Sequence, residues 1–391
     1  MTVSYPFTAP SMHEPAPEFG ELREKCPVAA VTLPDGTPAW LVTRHEDVRQ
    51  VLVDPRFSRA AATAPGGPQS ELGALTSESL IGLDPPRHTR LRRLVASGFT
   101  PRRVEQLRPR VAELVGGMID TMEGLPRPVD LVANLSMPLP VQVIFELFGV
   151  SPDDRDAFLG WSAALMGKWD RDPERTRAAL DGFAGLIAAK RAAPADDLLT
   201  ALITARDEQD QLTERELVML CIGVLIGGHE TTANQINLFL LTLLRERDRW
   251  ERLVADPEAL PHAIEELLRF VQLGESGVGQ VRLTTEEVTL GDTVIPAGAA
   301  VLPAMVAANR DPAVFTEPDH LDLARADNPH LAFGGGIHYC LGAQLARMEL
   351  QEVLGALLRR MPGLRIAVAE EELRFRFGMA VRSLETLPVT W

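Results

Sequence analysis

One long helix limits what this chain can fold into more than any other feature. Thr213-Glu214-Arg215-Glu216 has the form of a capping box, in which the threonine hydroxyl and the glutamate carboxylate each satisfy a free backbone N–H. A largely apolar sequence then runs on to about Arg247. At 1.5 Å per residue such a helix is roughly 50 Å long, enough to cross a whole domain, so other elements must pack around it. Its most apolar stretch, Leu217 to Gly228, ends at His229-Glu230, short of the ~20 apolar residues that span a bilayer.

Apolar periodicity predicts further helices over 44–53, 87–97, 101–123, 138–148, 153–167, 173–192, 257–271 and 341–360. Strand patterns are fewer, at 28–33, 38–43, 287–290, 293–295 and 299–303. The expected class is mainly α with a small β-sheet region. With 391 residues and 46% hydrophobic positions there is ample material for a large core. The loop signal Ala64-Pro65-Gly66-Gly67-Pro68 is too short to separate domains, so one domain over 1–391 is expected. The interval from Ser58 to Ile81 lacks clear periodicity, as binding loops often do.

The formal net charge is -15. An acidic total argues against generic nucleic-acid binding and against anionic membranes. Met1 to Gly20 is polar, with several prolines and no leader-like apolar run, and a cytoplasmic location is expected. Cys26, Cys221 and Cys340 are far apart and form no CxxC pair, which speaks against a disulfide framework or structural zinc. Cys26 and Cys221 read as small buried hydrophobes.

Phe333-Gly334-Gly335-Gly336-Ile337-His338-Tyr339-Cys340-Leu341-Gly342-Ala343 carries the most chemical information. Its glycines let backbone approach a flat ligand closely. A helix is expected to start just after Cys340, whose dipole would favour thiolate over thiol. An inert core cysteine on a flexible turn fits these residues as well. A phosphate loop does not, because neither G-x-G-x-x-G nor a following Gly-Lys-Ser/Thr is present.

Phe333, Gly336, Cys340 and Gly342 match the F-x-x-G-x-x-x-C-x-G signature, and on it the chain resembles the cytochrome P450 family. Glu266-Leu267-Leu268-Arg269 is similar to that family's E-x-x-R pair. Phe315, Pro318, Asp322 and Arg325 look like its meander, and Gly227-Gly228-His229-Glu230-Thr231-Thr232 resembles its oxygen-binding helix motif. The resemblance extends from about Trp40 to the C-terminus. It implies the cytochrome P450 fold and a haem b whose iron takes Cys340 as its thiolate ligand. Phe333, Gly336 and Gly342 then shape the cofactor loop, and His88, Arg92, Arg282 and His338 pair with the haem propionates. Arg87, Arg90 and Arg93 read as ordinary surface. Glu266, Arg269 and Arg325 are implied to form a structural charge network.

Two glycines inside a long helix cost about 1 kcal/mol each relative to alanine. Gly227-Gly228 therefore point either to close packing or to room for dioxygen, with a local widening of the helix. Glu230-Thr231 sets a carboxylate beside a hydroxyl, the combination a proton relay needs; a surface charge and a hydroxyl bonded to its own helix are the plainer alternatives. His229-Glu230 is not a zinc-protease motif, since position 233 is Ala.

The resemblance implies a monooxygenase that hydroxylates or epoxidises a mostly apolar small molecule in natural-product biosynthesis, using O2. Gly223, Ile226 and Gly227, with parts of 60–82, 162–175, 272–280 and 377–381, are expected to line its pocket. No flavin or iron–sulfur segment follows, so a ferredoxin and its reductase are expected to supply electrons, with Arg102, Arg103 and Arg347 as a candidate docking patch. Oxidative coupling on the same fold and non-catalytic haem binding are the alternatives, and no nucleic-acid or membrane partner is expected.

Overall fold

A computed structural model describes residues 3–68, 77–166, 173–207, 211–376 and 380–391. The long helix spans Glu214–Arg245 and opens on the complete Thr213/Glu216 capping box. It stops sooner than its apolar pattern suggests. Glu246 takes extended backbone, with φ -117 and ψ 102, and a separate helix, Arg247–Ala255, follows.

The two halves of this helix serve two apolar clusters. Ile236, Phe239 and Leu240 pack with Val111, Val115 and Ile119 of helix Pro101–Glu123, and with Leu350, Val353 and Leu354 of helix Ala343–Arg360. Leu217, Leu220 and Leu225 pack with Phe145 and Phe148 of helix Pro138–Phe148, and with Phe158, Phe183 and Leu199. At about 1.5–3 kcal/mol per fully buried large apolar side chain, these clusters dominate the fold energetically. This is also the only helix among the described residues long and apolar enough to cross a membrane, and its apolar surface is spent on these neighbours.

The other predicted helices form at Arg87–Ala96, Arg155–Met166, Pro173–Ala192 and Leu260–Phe270, and the helices Glu18–Lys25 and Leu198–Asp207 were not anticipated. A π-helical turn, Val132–Ser136, packs against the long helix. The main sheet runs, in spatial order, Val3–Ser4, Val28–Thr32, Pro38–Val42, Ala300–Pro303, Arg282–Thr284 and Phe57–Ser58. Strands 28–32 and 38–42 form a hairpin, and 38–42 runs parallel to 300–303 from Ala39↔Ala300 to Val42↔Pro303. At the far edge Phe57 pairs with Thr284 and Ser58 with Leu283, antiparallel. That register carries the chain after Ser58 toward Arg282. Of the expected pocket segments, 69–76, 167–172 and 377–379 lie outside the described residues.

Candidate active site

The cysteine loop is built by backbone. The Cys340 N–H donates to the Phe333 carbonyl at 2.9 Å, closing the loop on itself. Gly336 has φ +61, and a Cβ there would meet the Leu52 carbonyl oxygen at 2.5 Å. Both conditions exclude a larger residue at that position. The following helix begins at Ala343, with Gly342 as its N-cap, so Cys340 stands just ahead of the first turn rather than in it. Cys340 presents accessible surface, yet enough protein surrounds its sulfur that burial raises the thiol pKa. The Gly342 N–H, Arg92 and Arg347 pull it down without prevailing. Burial thus works against the thiolate that the following helix favours, and a bound metal would complete the deprotonation. The Arg92 guanidinium donates to the Tyr339 carbonyl at 2.6 Å, and Arg347 lies over the Phe333 ring, 4.5 Å from its centroid.

Around this loop the fold gathers basic side chains. His88 comes from helix Arg87–Ala96, His338 from the cysteine loop, and Arg282 from the sheet edge. The His88 and His338 ring centroids are 4.5 Å apart. Both ring nitrogens of His88, and Nε2 of His338, are buried without a hydrogen-bond partner. Burial pushes the His338 imidazole down to about 3, with His88, Arg282, Arg59 and Arg92 adding to the push. Burial and the neighbouring Arg59 likewise lower Arg282 to about 9. Buried cations that repel one another beside unused ring nitrogens form a site for an anion. Sequence reasoning missed Arg59, which is buried here as well. A lone cation before three alanines gave no signal.

The long helix carries an accessible stripe. Most of the helix is buried, but Gly223 and Gly227 are exposed and Ile226, Glu230 and Thr231 half-buried, a spacing of three and four residues that marks one face. Ile226 and Leu341, the residue after Cys340, pack on the same apolar cluster. A Cβ at Gly228 would meet Ile144 at 3.3 Å, whereas one at Gly227 would meet nothing within 4 Å. Gly228 thus serves packing and Gly227 leaves room. The helix stays α-helical here, without the expected widening. The Thr231 hydroxyl donates to the Gly227 carbonyl at 2.6 Å, leaving its oxygen lone pairs as acceptors. Burial raises the Glu230 carboxyl pKa against the pull of Arg376, so this acid holds its proton more tightly than an exposed one.

Glu266, Arg269 and Arg325 lie apart from the cation cluster. Arg269 grips Glu266 with two bonds of 2.8 Å and donates to the carbonyls of Asn309, Pro318 and His320. Arg325 and the Asp322 N–H complete the shell around Glu266. Arg87 and Arg90 both reach Glu216 at the start of the long helix, which ties two helices together. Of the candidate docking arginines, Arg103 is paired with Asp196 and Arg347 with Glu265, while Arg102 remains exposed. A cleft of about 520 Å³ beneath the N-terminal segment, with Phe19, Arg23, Leu238 and Phe270 among its walls, contains none of the predicted site residues.

Comparison with known proteins agrees with this architecture. The cytochrome P450 family model matches residues 187–362. The chain is 48% identical to nocardicin C N-oxygenase of Nocardia uniformis subsp. tsuyamanensis, over 100% of this chain and 99% of that one. It is 44% identical to mycinamicin IV hydroxylase/epoxidase of Micromonospora griseorubida, over 99% and 98%. The crystal structure of the LnmA cytochrome P450 hydroxylase, from the leinamycin pathway of Streptomyces atroolivaceus, superposes with a TM-score of 0.91 at 44% identity, over 100% of both chains. This chain belongs to the cytochrome P450 family, among its bacterial members. It is a cytochrome P450 monooxygenase, of the kind that works in natural-product biosynthesis, and the family carries haem iron on a cysteine thiolate. The residues present fit that group: a cysteine loop open at its sulfur, and buried cationic and unpartnered polar side chains beside it for two carboxylates.

Proposed function

We propose that the protein inserts one oxygen atom from O2 into a mostly apolar small molecule, by hydroxylation or epoxidation, with haem b held by Cys340. The observation that carries this reading is the accessible stripe Gly223, Ile226, Gly227, Glu230 and Thr231 on an otherwise buried helix, sharing an apolar cluster with Leu341 of the cysteine loop. The haem iron, when bound, supplies the reductive activation of dioxygen. The overall balance takes O2, two electrons and two protons, and returns the oxygenated product and water.

The chain's own residues orient, deliver protons and exclude water. His88, Arg92, Arg282 and His338 would hold the propionates, and Phe333, Gly336 and Gly342 would shape the loop that holds the haem. Gly223, Ile226 and Gly227 offer an uncharged surface to the substrate, in keeping with a relative named mycinamicin IV hydroxylase/epoxidase. Glu230 retains a proton through burial, and Thr231 would pass its own hydroxyl proton inward by releasing the Gly227 carbonyl, its oxygen regaining a proton from the Glu230 side. Non-catalytic haem binding would not need that proton supply, which favours an enzyme that activates oxygen; product mass separates oxygen insertion from oxidative coupling. A ferredoxin and its reductase as the electron source, and a cytoplasmic location, belong to the same reading. With Arg103 and Arg347 already paired, Arg102 is the docking arginine with charge to spare.

Thr231→Ala tests the relay. Binding of substrate, read by the spin-state change, should persist while reduced cofactor is consumed mainly into peroxide, with the product yield per electron falling about tenfold or more, in line with the weight of general acid–base groups. An unchanged yield would refute the relay.

A further inference from the structure

We propose that Arg59 is a positioning residue for the haem: a third fixed positive charge behind the propionates that strengthens haem binding and raises the reduction potential of the iron. The inference rests on the reading that this cluster faces the propionates.

The sheet register brings Arg59 there. Phe57↔Thr284 and Ser58↔Leu283 run antiparallel, and one step further sets Arg59 beside Arg282. Like charges directly opposed across such an edge are destabilising, and neither side chain can escape to water: Arg59 is 1% exposed and Arg282 3%. Nor is either quenched by a hydrogen-bonded carboxylate. Arg59 donates through Nε to the Ile81 carbonyl at 3.0 Å, through Nη2 to the Gln280 side-chain oxygen at 3.3 Å, and through Nη1 to the Val281 carbonyl. Arg282 donates to the Gln280 carbonyl at 3.0 Å. The acceptors are all neutral.

Charge accounting identifies what the arrangement suits. Among the described residues the guanidiniums of this cluster are Arg59, Arg92 and Arg282, and the carboxylate within electrostatic reach is Asp84, whose oxygens already take the Ser58 hydroxyl and the Arg59 backbone N–H. Three positive charges less one negative leave a surplus of two, which matches the two carboxylates of haem. Without Arg59 the surplus would be one. Because each of its three guanidinium nitrogens already donates to a carbonyl or amide oxygen, Arg59 acts through the field and by fixing Gln280 and Val281 next to Arg282, not by touching the ring.

Three variants of the haem-loaded protein separate charge from shape. Arg59→Met removes the charge, Arg59→Gln removes it while keeping polar contacts, and Arg59→Lys keeps the charge on a different head. Two readouts are taken on each: the rate of haem transfer to apomyoglobin, and the ferric–ferrous midpoint potential. Met and Gln should transfer haem at least tenfold faster and shift the potential negative, since a lost buried cation favours the more positive ferric state. Lys should hold its potential near that of the parent. Unchanged transfer and potential in Met and Gln would overturn the proposal, as would a Lys variant shifted as far as Met, which would mark a purely structural role. If Met fails to fold, by circular dichroism, Gln decides. A parent chain that binds no haem would instead refute the reading on which this inference rests.

Discussion

Two buried charge clusters in this molecule look alike in composition and differ in how they are balanced. Around Glu266 the charged groups are satisfied from within, one carboxylate held by two guanidiniums that also donate to backbone carbonyls. Glu266 and Arg269 are both 0% exposed, and their polar atoms meet Arg325, Asp322, Asn328 and backbone carbonyls. Around Arg282 the chain holds Arg59 and Arg92 against Asp84 and leaves ring nitrogens of His88 and His338 without partners. A closed balance marks scaffold, because nothing further is needed to make burial tolerable. An open balance marks a binding site, because only an incoming anion completes it.

The largest expected break falls on the closed cluster. Glu266→Gln leaves Arg269 and Arg325 as uncompensated buried cations, and should lower stability by about 3–5 kcal/mol with or without haem, measured by urea unfolding. A loss confined to the haem-loaded form would put Glu266 in the open class.

Glu349 sharpens the comparison from another side. It is an unpaired acid in an apolar lining, and the chain balances it by protonation: burial pushes its carboxyl up to about 8. The unfolded chain therefore gives up this proton at lower pH than the folded one. The group's contribution to stability is full below the ordinary carboxyl value and is lost as pH climbs toward about 8. Glu349→Gln should flatten that slope and stabilise the protein by on the order of 3 kcal/mol at pH 7. A variant less stable than the parent at pH 7 to 8 would show the acid to be partnered and ionised.

Arg282→Met should produce the smallest change in stability and an effect specific to the cofactor. Apoprotein unfolding should stay within about 1 kcal/mol, while the haem dissociation constant rises ~10- to 30-fold, about 2 kcal/mol for a charge-assisted contact. Equal losses in apo and loaded protein would erase the distinction between the two clusters.

Much of this was legible in sequence, and what was missed has a common cause. The helices could be read because apolar periodicity and capping are local signals, as at Thr213–Glu216. The cysteine loop could be read because Phe333, Gly336, Cys340 and Gly342 match a family signature; its residues alone left an inert core cysteine open. Arg59 could not, since its partners Gln280 and Val281 lie more than 200 positions away and nothing nearby hints at them. Glu349 looks like an exposed helix position until helix Ala343–Arg360 is packed on its neighbours. The strand Val129–Asp130 exists because Pro388 and Val389 pair with it from the far end of the chain. The partners that neutralise Arg103 and Arg347 were invisible for the same reason.

The account depends on sulfur 340 being the iron's ligand, and the absorption spectrum of the reduced, carbon monoxide-treated protein tests it most directly. The parent should show the red-shifted Soret band of thiolate-ligated haem that gives the family its name, and Cys340→Ser should lose it. A variant spectrum indistinguishable from the parent's would contradict the assignment.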